Sequence, residues 1–127
     1  MTHRYFPTFF ILPVLFLAGC ESGPSLQERL ARAQSLQPDD PALAEIYQRS
    51  CQSCHTLEAT GAPLTGDQHA WSVRYQKGEA HLLNSVIEGF GGMPPLGLCM
   101  DCTQQDFQRL VRFMADQPAQ SSHTRAF

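Results

Sequence analysis

The sequence has no excess of basic side chains and no basic stripe. Nine Lys and Arg residues stand against twelve Asp and Glu residues in a chain of 127, which gives a formal net charge of −3. A domain that binds nucleic acid usually shows a basic patch or an isoelectric point above about 9. The charge balance therefore argues against a nucleic-acid partner, and the length supports one domain and excludes a large multidomain enzyme.

The chain also lacks a run of about 20 apolar residues, which is the length that a membrane-spanning helix needs. Its longest apolar stretch, residues 6–18, has thirteen residues and is interrupted by Pro7 and Pro13. A short polar segment with His3 and Arg4 precedes this stretch. The pattern is typical of a secretory signal peptide.

The end of the apolar stretch indicates lipid attachment. Leu17-Ala18-Gly19-Cys20 resembles the lipobox of bacterial lipoproteins, in which cleavage leaves the cysteine as the first residue and the cysteine is then acylated. Two or more acyl chains hold a protein firmly on a bilayer without a spanning helix. The alternative is an ordinary secreted protein with a chance cysteine at this position.

The composition divides the chain into four predicted segments. These are a lipoprotein signal peptide over 1–19, a lipidated N-terminus and tether over 20–40, a compact domain over 41–118 and a flexible tail over 119–127. Leu26, Leu30, Ala33 and Leu36 recur at helical spacing within the tether. A short amphipathic helix and a solvated linker both remain open for that segment.

The domain is predicted to be all-α, with about four short helices and long loops, because no alternating strand pattern or internal repeat is present. Cap and turn signals place the helices at about 41–51, 69–76, 80–88 and 104–116, with a loop over 60–68. Asp40 and Thr103 are the predicted N-caps of the first and last helices. Four helices give a thin core, and such a domain usually needs a disulfide, a metal or a cofactor.

The five cysteines include a pair with a specific pattern. Cys51-Gln52-Ser53-Cys54-His55 is the attachment signature for c-type haem. Thiols at i and i+3 lie on one turn of helix, where each can add to a haem vinyl group, and the adjacent imidazole can bind the iron. A thioredoxin-like redox pair belongs near a βαβ pattern, which this chain lacks, and a zinc site would need further ligands at finger or ribbon spacing.

The second axial ligand decides between an electron carrier and a catalyst, because iron held by His and Met has no open position. Met93 is the strongest candidate, since it follows Gly91 and Gly92 and precedes Pro94 and Pro95. The glycines allow close approach of the backbone and the prolines stiffen the loop. The other candidates after the haem motif are His69, His81, His123, Met100 and Met114.

The pattern as a whole resembles the class I c-type cytochromes. It consists of the CxxCH motif, Gly61-Ala62-Pro63, Gly66-Asp67 followed by Trp71 and Arg74, and a Met-Pro-Pro motif before the last helix. The further pair Cys99 and Cys102 is similar to the cytochrome c5 subgroup. The resemblance covers residues 43–116 and implies the class I cytochrome c fold around one covalently bound haem.

The resemblance also implies roles for individual residues. Cys51 and Cys54 would form the haem thioethers, and His55 and Met93 would be the axial iron ligands. Cys99 and Cys102 would form a disulfide, and Trp71 and Arg74 would lie near the haem. Leu98 departs from the pattern, because a glycine is common before the first cysteine of the disulfide.

These observations predict a monomeric, non-enzymatic carrier of single electrons between a respiratory donor and a terminal oxidase or reductase. Its partners would be redox proteins, and it would lie on the periplasmic side of a bacterial membrane, inner or outer, held by its lipid. No charged side chain occurs in 89–99, which predicts a largely apolar docking loop. The alternatives are a c-haem peroxidase-type enzyme and a dedicated haem subunit of a larger redox complex.

Overall fold

The computed structural model describes residues 23–116 and shows a helical domain. The helices are α1 (Leu26–Ser35), α2 (Pro41–Ser50), α3 (Gln52–His55), α4 (Gln68–Tyr75), α5 (Glu79–Glu88) and α6 (Gln104–Met114), with 3₁₀ turns at Glu58–Thr60 and Pro95–Leu98. Within residues 23–116 there is no β-strand, only an isolated bridge between Phe90 and Met93. None of the helices described is long and apolar enough to cross a membrane. The predicted signal peptide over 1–19 and the predicted tail over 119–127 lie outside the described residues.

The predicted helices of the domain are confirmed, and their local signals act as expected. Asp40 caps α2 by accepting from the amides of Ala42 and Leu43, and Pro41 occupies the first helical position. Thr103 and Asp106 form a capping box at the start of α6. The short helix α3 and the two 3₁₀ turns were not predicted.

The core lies where α2 and α5 pack against α6. The buried face of α6 consists of Phe107, Leu110, Val111 and Met114, at the spacing that the sequence predicted. Tyr47 of α2 is fully buried, and its ring meets that of Phe113 edge to face with centroids 5.1 Å apart. The first and last helices of the predicted domain thus pack against each other in the core.

The segment predicted as a tether contains a folded helix, α1, that packs on the domain. Ser25 and Glu28 form its capping box, and Ala33 is fully buried. Arg29 and Arg32 pair with Asp67 and Asp116 of the domain at 2.8 and 2.9 Å. Of the two open alternatives, the structure therefore supports the helix, and a domain start at residue 41 leaves out an element that packs against the rest.

We expect Asp40→Ala to lower the midpoint of urea unfolding more than Asp40→Asn, because asparagine retains the helix cap.

The hydrogen bond from Arg109, followed by those from the Leu43 and Ala42 amides, holds the pKa of Asp40 below its ordinary value. A lowered folded pKa adds stability above the unfolded pKa, and this stability is lost as the pH falls through the folded value. The midpoints of urea unfolding of wild type and Asp40→Asn should therefore differ at pH 7 and become equal at strongly acidic pH. A difference that does not change with pH would contradict a stabilising role of the Asp40 charge.

Candidate functional site

The two cysteines of the CxxCH motif lie on one helical turn. Cys51 ends α2, and its carbonyl accepts from the amides of Cys54 and His55 at 3.2 and 3.1 Å. Both cysteines are free; Cys51 is half-buried and Cys54 is exposed. Burial, with the neighbouring Cys54 as a smaller cause, raises the pKa of Cys51 to about 11. Reactive redox cysteines need a lowered pKa, so the raised pKa of Cys51 argues against a thioredoxin-like role for this cysteine.

Among the residues that the structure describes, no zinc site forms at this motif. In residues 23–116, three or more potential metal-ligating side chains converge only at Cys99, Asp101 and Cys102. Cys99 and Cys102 are joined by a disulfide there, so their thiols are not available as ligands. Cys51, Cys54 and His55 are thus left for a cofactor that needs two thiols and one imidazole.

His55 is held in the tautomer that a metal ligand requires. It is buried, and its Nδ1 lies 2.8 Å from the carbonyl oxygen of Pro63. A carbonyl can only accept, so Nδ1 carries the proton and donates, and Nε2 keeps a lone pair for a metal. Burial lowers the pKa of His55 and outweighs the hydrogen bond to Pro63, which acts in the opposite direction, while the charge of Arg74 adds to the lowering. The neutral imidazole is therefore favoured.

Helix α4 places Trp71 beside this imidazole. The two rings are nearly parallel, with centroids 6.0 Å apart, and Trp71 Nε1 donates to the Leu64 carbonyl at 2.9 Å. Arg74 lies one turn further along α4 and donates to the Ala70 carbonyl at 2.6 Å. Trp71 is thus in the vicinity of His55, while the side-chain hydrogen bond of Arg74 is made within its own helix.

Met93 lies in a tight loop between α5 and the Pro95–Leu98 turn. The backbones of Phe90 and Met93 exchange hydrogen bonds at 3.1 and 3.0 Å. Gly89 precedes the loop with φ +84°, and a Cβ there would lie 2.8 Å from the Met93 carbonyl oxygen. Only glycine fits this position, because a side chain would meet both a strained backbone and a backbone atom.

An apolar cleft opens between α2, α5, the Pro95–Leu98 turn and α6. Cys51 and Met93 line it together with the following residues: Ile46, Val86, Leu96, Leu110, Val111 and Met114. His55 and Cys54 are not among the residues that line this cleft. Apolar walls, a thiol pair on one helical turn, an imidazole with a free Nε2 and a half-buried thioether fit a covalently attached haem. Haem would supply an iron that changes oxidation state by one electron.

The other candidate ligands are less well placed. Met100, His69 and His81 are exposed, and Met100 keeps 79% of its surface in solvent. Met114 lines the cleft but is only 3% exposed within the apolar face of α6. His123 lies outside the described residues.

Arg49 joins the haem motif to the disulfide turn, which the sequence analysis did not anticipate. Its guanidinium binds both carboxylate oxygens of Asp101, at 3.0 and 2.7 Å, and Nη2 lies 3.3 Å from Cys99 Sγ. Arg49 directly precedes the end of α2, whereas Asp101 lies between the two bonded cysteines. Because 52 residues separate the partners, no local pattern signals the contact.

The comparisons with known proteins agree with this geometry. A family model described as "Cytochrome C oxidase, cbb3-type, subunit III" matches residues 38–114, which is more than half of the chain and includes both the CxxCH motif and Met93. The chain belongs to the cytochrome c family. The cytochrome is similar to cytochrome c5 of Ectopseudomonas mendocina, with 34% identity over 73 residues that cover 56% of this chain and 84% of the relative.

Further relatives give the same result. Cytochrome c-555 of Chlorobaculum tepidum is 33% identical over 83 residues, which cover 62% of this chain and 77% of the relative. A chain from the "crystal structure of electron transfer complex of nitrite reductase with cytochrome c" is 34% identical with a TM-score of 0.53, and the match covers 61% of this chain and 94% of that one. The predicted class I cytochrome c fold, haem c with its iron and the role of a non-enzymatic electron carrier are thereby confirmed.

We expect Gly89→Ala to displace the Met93 loop and to destabilise the cytochrome by about 1 to 3 kcal/mol. Gly92→Ala is the matched control, because Gly92 lies in the same loop, has no positive φ and has open space around its Cβ position. Urea unfolding of the two holoproteins measures the difference. Equal stabilities of the two variants would contradict the proposed constraint.

Proposed function

We propose that the cytochrome carries single electrons through a haem held by Cys51 and Cys54, with His55 and Met93 as the axial iron ligands. The observation that carries this proposal is the Nδ1 hydrogen bond of His55 to Pro63, because it leaves Nε2 free toward a metal. Met93 occupies a constrained loop at the apolar cleft. With both axial positions filled, electrons can pass without ligand exchange. In this proposal Trp71 and Arg74 lie near the haem.

The proposed partners are redox proteins that donate to and accept from a monomeric cytochrome in a respiratory chain. The cytochrome-like solved structure, described as a complex with nitrite reductase, supports partners of this class.

The proposed docking patch consists of Phe90, Leu98 and Met100, which keep 66%, 73% and 79% of their surface exposed. Leu98 has φ +65° where a glycine would be unstrained. An exposed leucine in such a strained conformation supports a role in contact with a partner.

Because the loop over 89–99 has no charged side chain, we expect electron transfer to a purified protein acceptor to depend weakly on salt. The rate should change less than tenfold between about 0.01 M and about 0.15 M ionic strength, where the screening length falls from about 30 Å to about 8 Å. Leu98→Glu should slow the transfer, whereas Val73→Glu adds the same charge on α4 and should not. A tenfold or larger fall for wild type would contradict an apolar patch.

The proposed location is the periplasmic side of a bacterial membrane, with Cys20 as the lipid anchor. The lipobox-like sequence Leu17-Ala18-Gly19-Cys20 supports this proposal. Ser25, the N-cap of α1, follows Cys20 by five residues, so the folded domain would stand close to the bilayer. The test compares wild type with Cys20→Ser by membrane fractionation and a haem-stained gel. Wild type should fractionate with membranes, and Cys20→Ser should run as a larger protein on the gel if residues 1–19 are not removed; a soluble wild-type protein would refute the anchor.

A second candidate function is that of a haem subunit in a larger redox complex. The description of the matching family model, which names an oxidase subunit, favours this candidate. Purification from mildly solubilised membranes separates the two functions. A free carrier should elute alone, whereas a subunit should elute with other proteins in fixed stoichiometry.

A further inference from the structure

Helix α1 lies outside residues 38–114, which the family model matches, yet it packs closely on the rest of the cytochrome. A Cβ on Gly66 would lie 2.5 Å from Leu36 Cδ1 and 2.8 Å from Arg32 Nε. The Gly66 amide in turn donates to the Met114 carbonyl at 2.7 Å. The helix and the segment 63–67 are therefore fitted against each other, and that segment is fixed to the end of α6.

One ion pair between α1 and the rest of the cytochrome involves a buried carboxylate. Arg29 Nη1 lies 2.8 Å from Asp67 Oδ2, and the side chain of Asp67 is only 5% exposed. The other carboxylate oxygen, Oδ1, accepts from the Ala70 amide at 3.2 Å and caps α4. Both oxygens of a buried carboxylate are thus in use. Loss of Arg29 would leave a buried charge without its cationic partner, which is strongly unfavourable.

Asp67 belongs to the segment that supports His55 from more than one side. The Pro63 carbonyl accepts from His55 Nδ1, and the Thr65 amide donates to the His55 carbonyl, both at 2.8 Å. The helix that Asp67 caps carries Trp71, whose ring stacks on the imidazole. A shift of Asp67 would therefore change both the hydrogen bond from His55 to Pro63 and the contact between the rings of His55 and Trp71.

We propose that Arg29 and Asp67 are positioning residues for His55, so that α1 is part of the support of the redox site. This inference rests on the proposed role of His55 as an iron ligand. The hydrogen bond from Nδ1 makes the imidazole a stronger donor to a metal. A stronger donor favours the more oxidised iron, since hydrogen bonding around the ligands is one of the factors that set the potential. A loosened segment 63–67 should therefore weaken the bond and raise the reduction potential.

The test is a redox titration of the holoprotein carrying Arg29→Ala. We expect its reduction potential to be more positive than that of wild type, and amide hydrogen exchange at Thr65 and Gly66 to be faster. Arg29→Lys keeps the cation and should return both measurements toward wild type. Arg109→Ala is the matched control, because it breaks an ion pair of 2.6 Å with Asp40, which likewise caps a helix. Its potential should stay at the wild-type value.

Two results would overturn the inference. One is an unchanged potential in Arg29→Ala, whether or not amide exchange is faster, and the other is an equal shift in Arg29→Ala and Arg109→Ala, which would indicate general loosening. If Arg29→Ala does not yield folded protein, Arg29→Gln, which keeps a long polar side chain without the charge, takes its place and is compared with Arg109→Gln by the same measurements. Before these comparisons, magnetic resonance of the oxidised wild type should show that a nitrogen ligand is bound to the iron. Its absence would refute the proposed function itself, independently of Arg29.

Discussion

Met93→Ala should lower the reduction potential of the cytochrome by on the order of 0.1 V or more and should allow carbon monoxide to bind the reduced protein. A thioether ligand raises the potential because it favours the reduced iron, and its loss opens an axial position. The absorption band at about 695 nm, typical of methionine ligation in oxidised c-type cytochromes, should disappear. Redox titration and absorption spectra with and without carbon monoxide measure these changes.

Met100→Ala is the control for this substitution. It removes the same side chain from an exposed position seven residues further along, so the potential and the spectrum should not change. If Met93→Ala kept the band at about 695 nm, a methionine other than Met93 would be the axial ligand. Met114 would then be the next candidate, because it lines the same cleft. Binding of carbon monoxide by wild type would instead support the peroxidase-type alternative.

Cys51→Ser combined with Cys54→Ser should abolish covalent haem and remove on the order of 5 kcal/mol of stability, which is about all that a core of this size supplies. The cleft between α2, α5 and α6 has apolar walls that the haem would cover. Without the haem, the half-buried part of this lining, which includes Met93 and Leu96, loses the apolar contact that the haem would provide. A haem-stained denaturing gel and thermal unfolding followed by circular dichroism measure the two effects.

The matched control replaces the other cysteine pair, Cys99 and Cys102, by serine. The disulfide spans a sequence separation of only 3, so its loss removes little loop-closure entropy. This variant should keep its covalent haem on the denaturing gel, and its thermal unfolding should remain a single cooperative transition. Covalent haem retained after loss of Cys51 and Cys54 would contradict the assignment of the thioethers.

The helices of the domain and the residues proposed to hold the haem could be predicted because their signals are local. A cap, a proline or a 3.6-residue periodicity lies within a few positions of the helix that it defines. The same holds for the spacing in Cys51-Gln52-Ser53-Cys54-His55 and for Met93 between glycines and prolines. These patterns need no knowledge of the tertiary structure.

The supports of the site could not be predicted, because they join residues far apart in the chain. Arg49 meets Asp101 across 52 positions, and Arg29 meets Asp67 across 38. The carbonyl of Pro63 has no side-chain signal at all. For α1 the sequence left a helix and a solvated linker open, and the structure favours the helix through its ion pairs with the domain.

The most direct test of the proposed electron carrier is an optically monitored redox titration of the purified holoprotein, repeated under carbon monoxide. We expect a single transition with a slope of about 59 mV per decade, the value for one electron. The oxidised protein should show the band at about 695 nm, and carbon monoxide should leave the reduced spectrum unchanged. A carbon monoxide adduct of the native protein, or a transition that does not fit one electron, would contradict a carrier with His55 and Met93 on the iron.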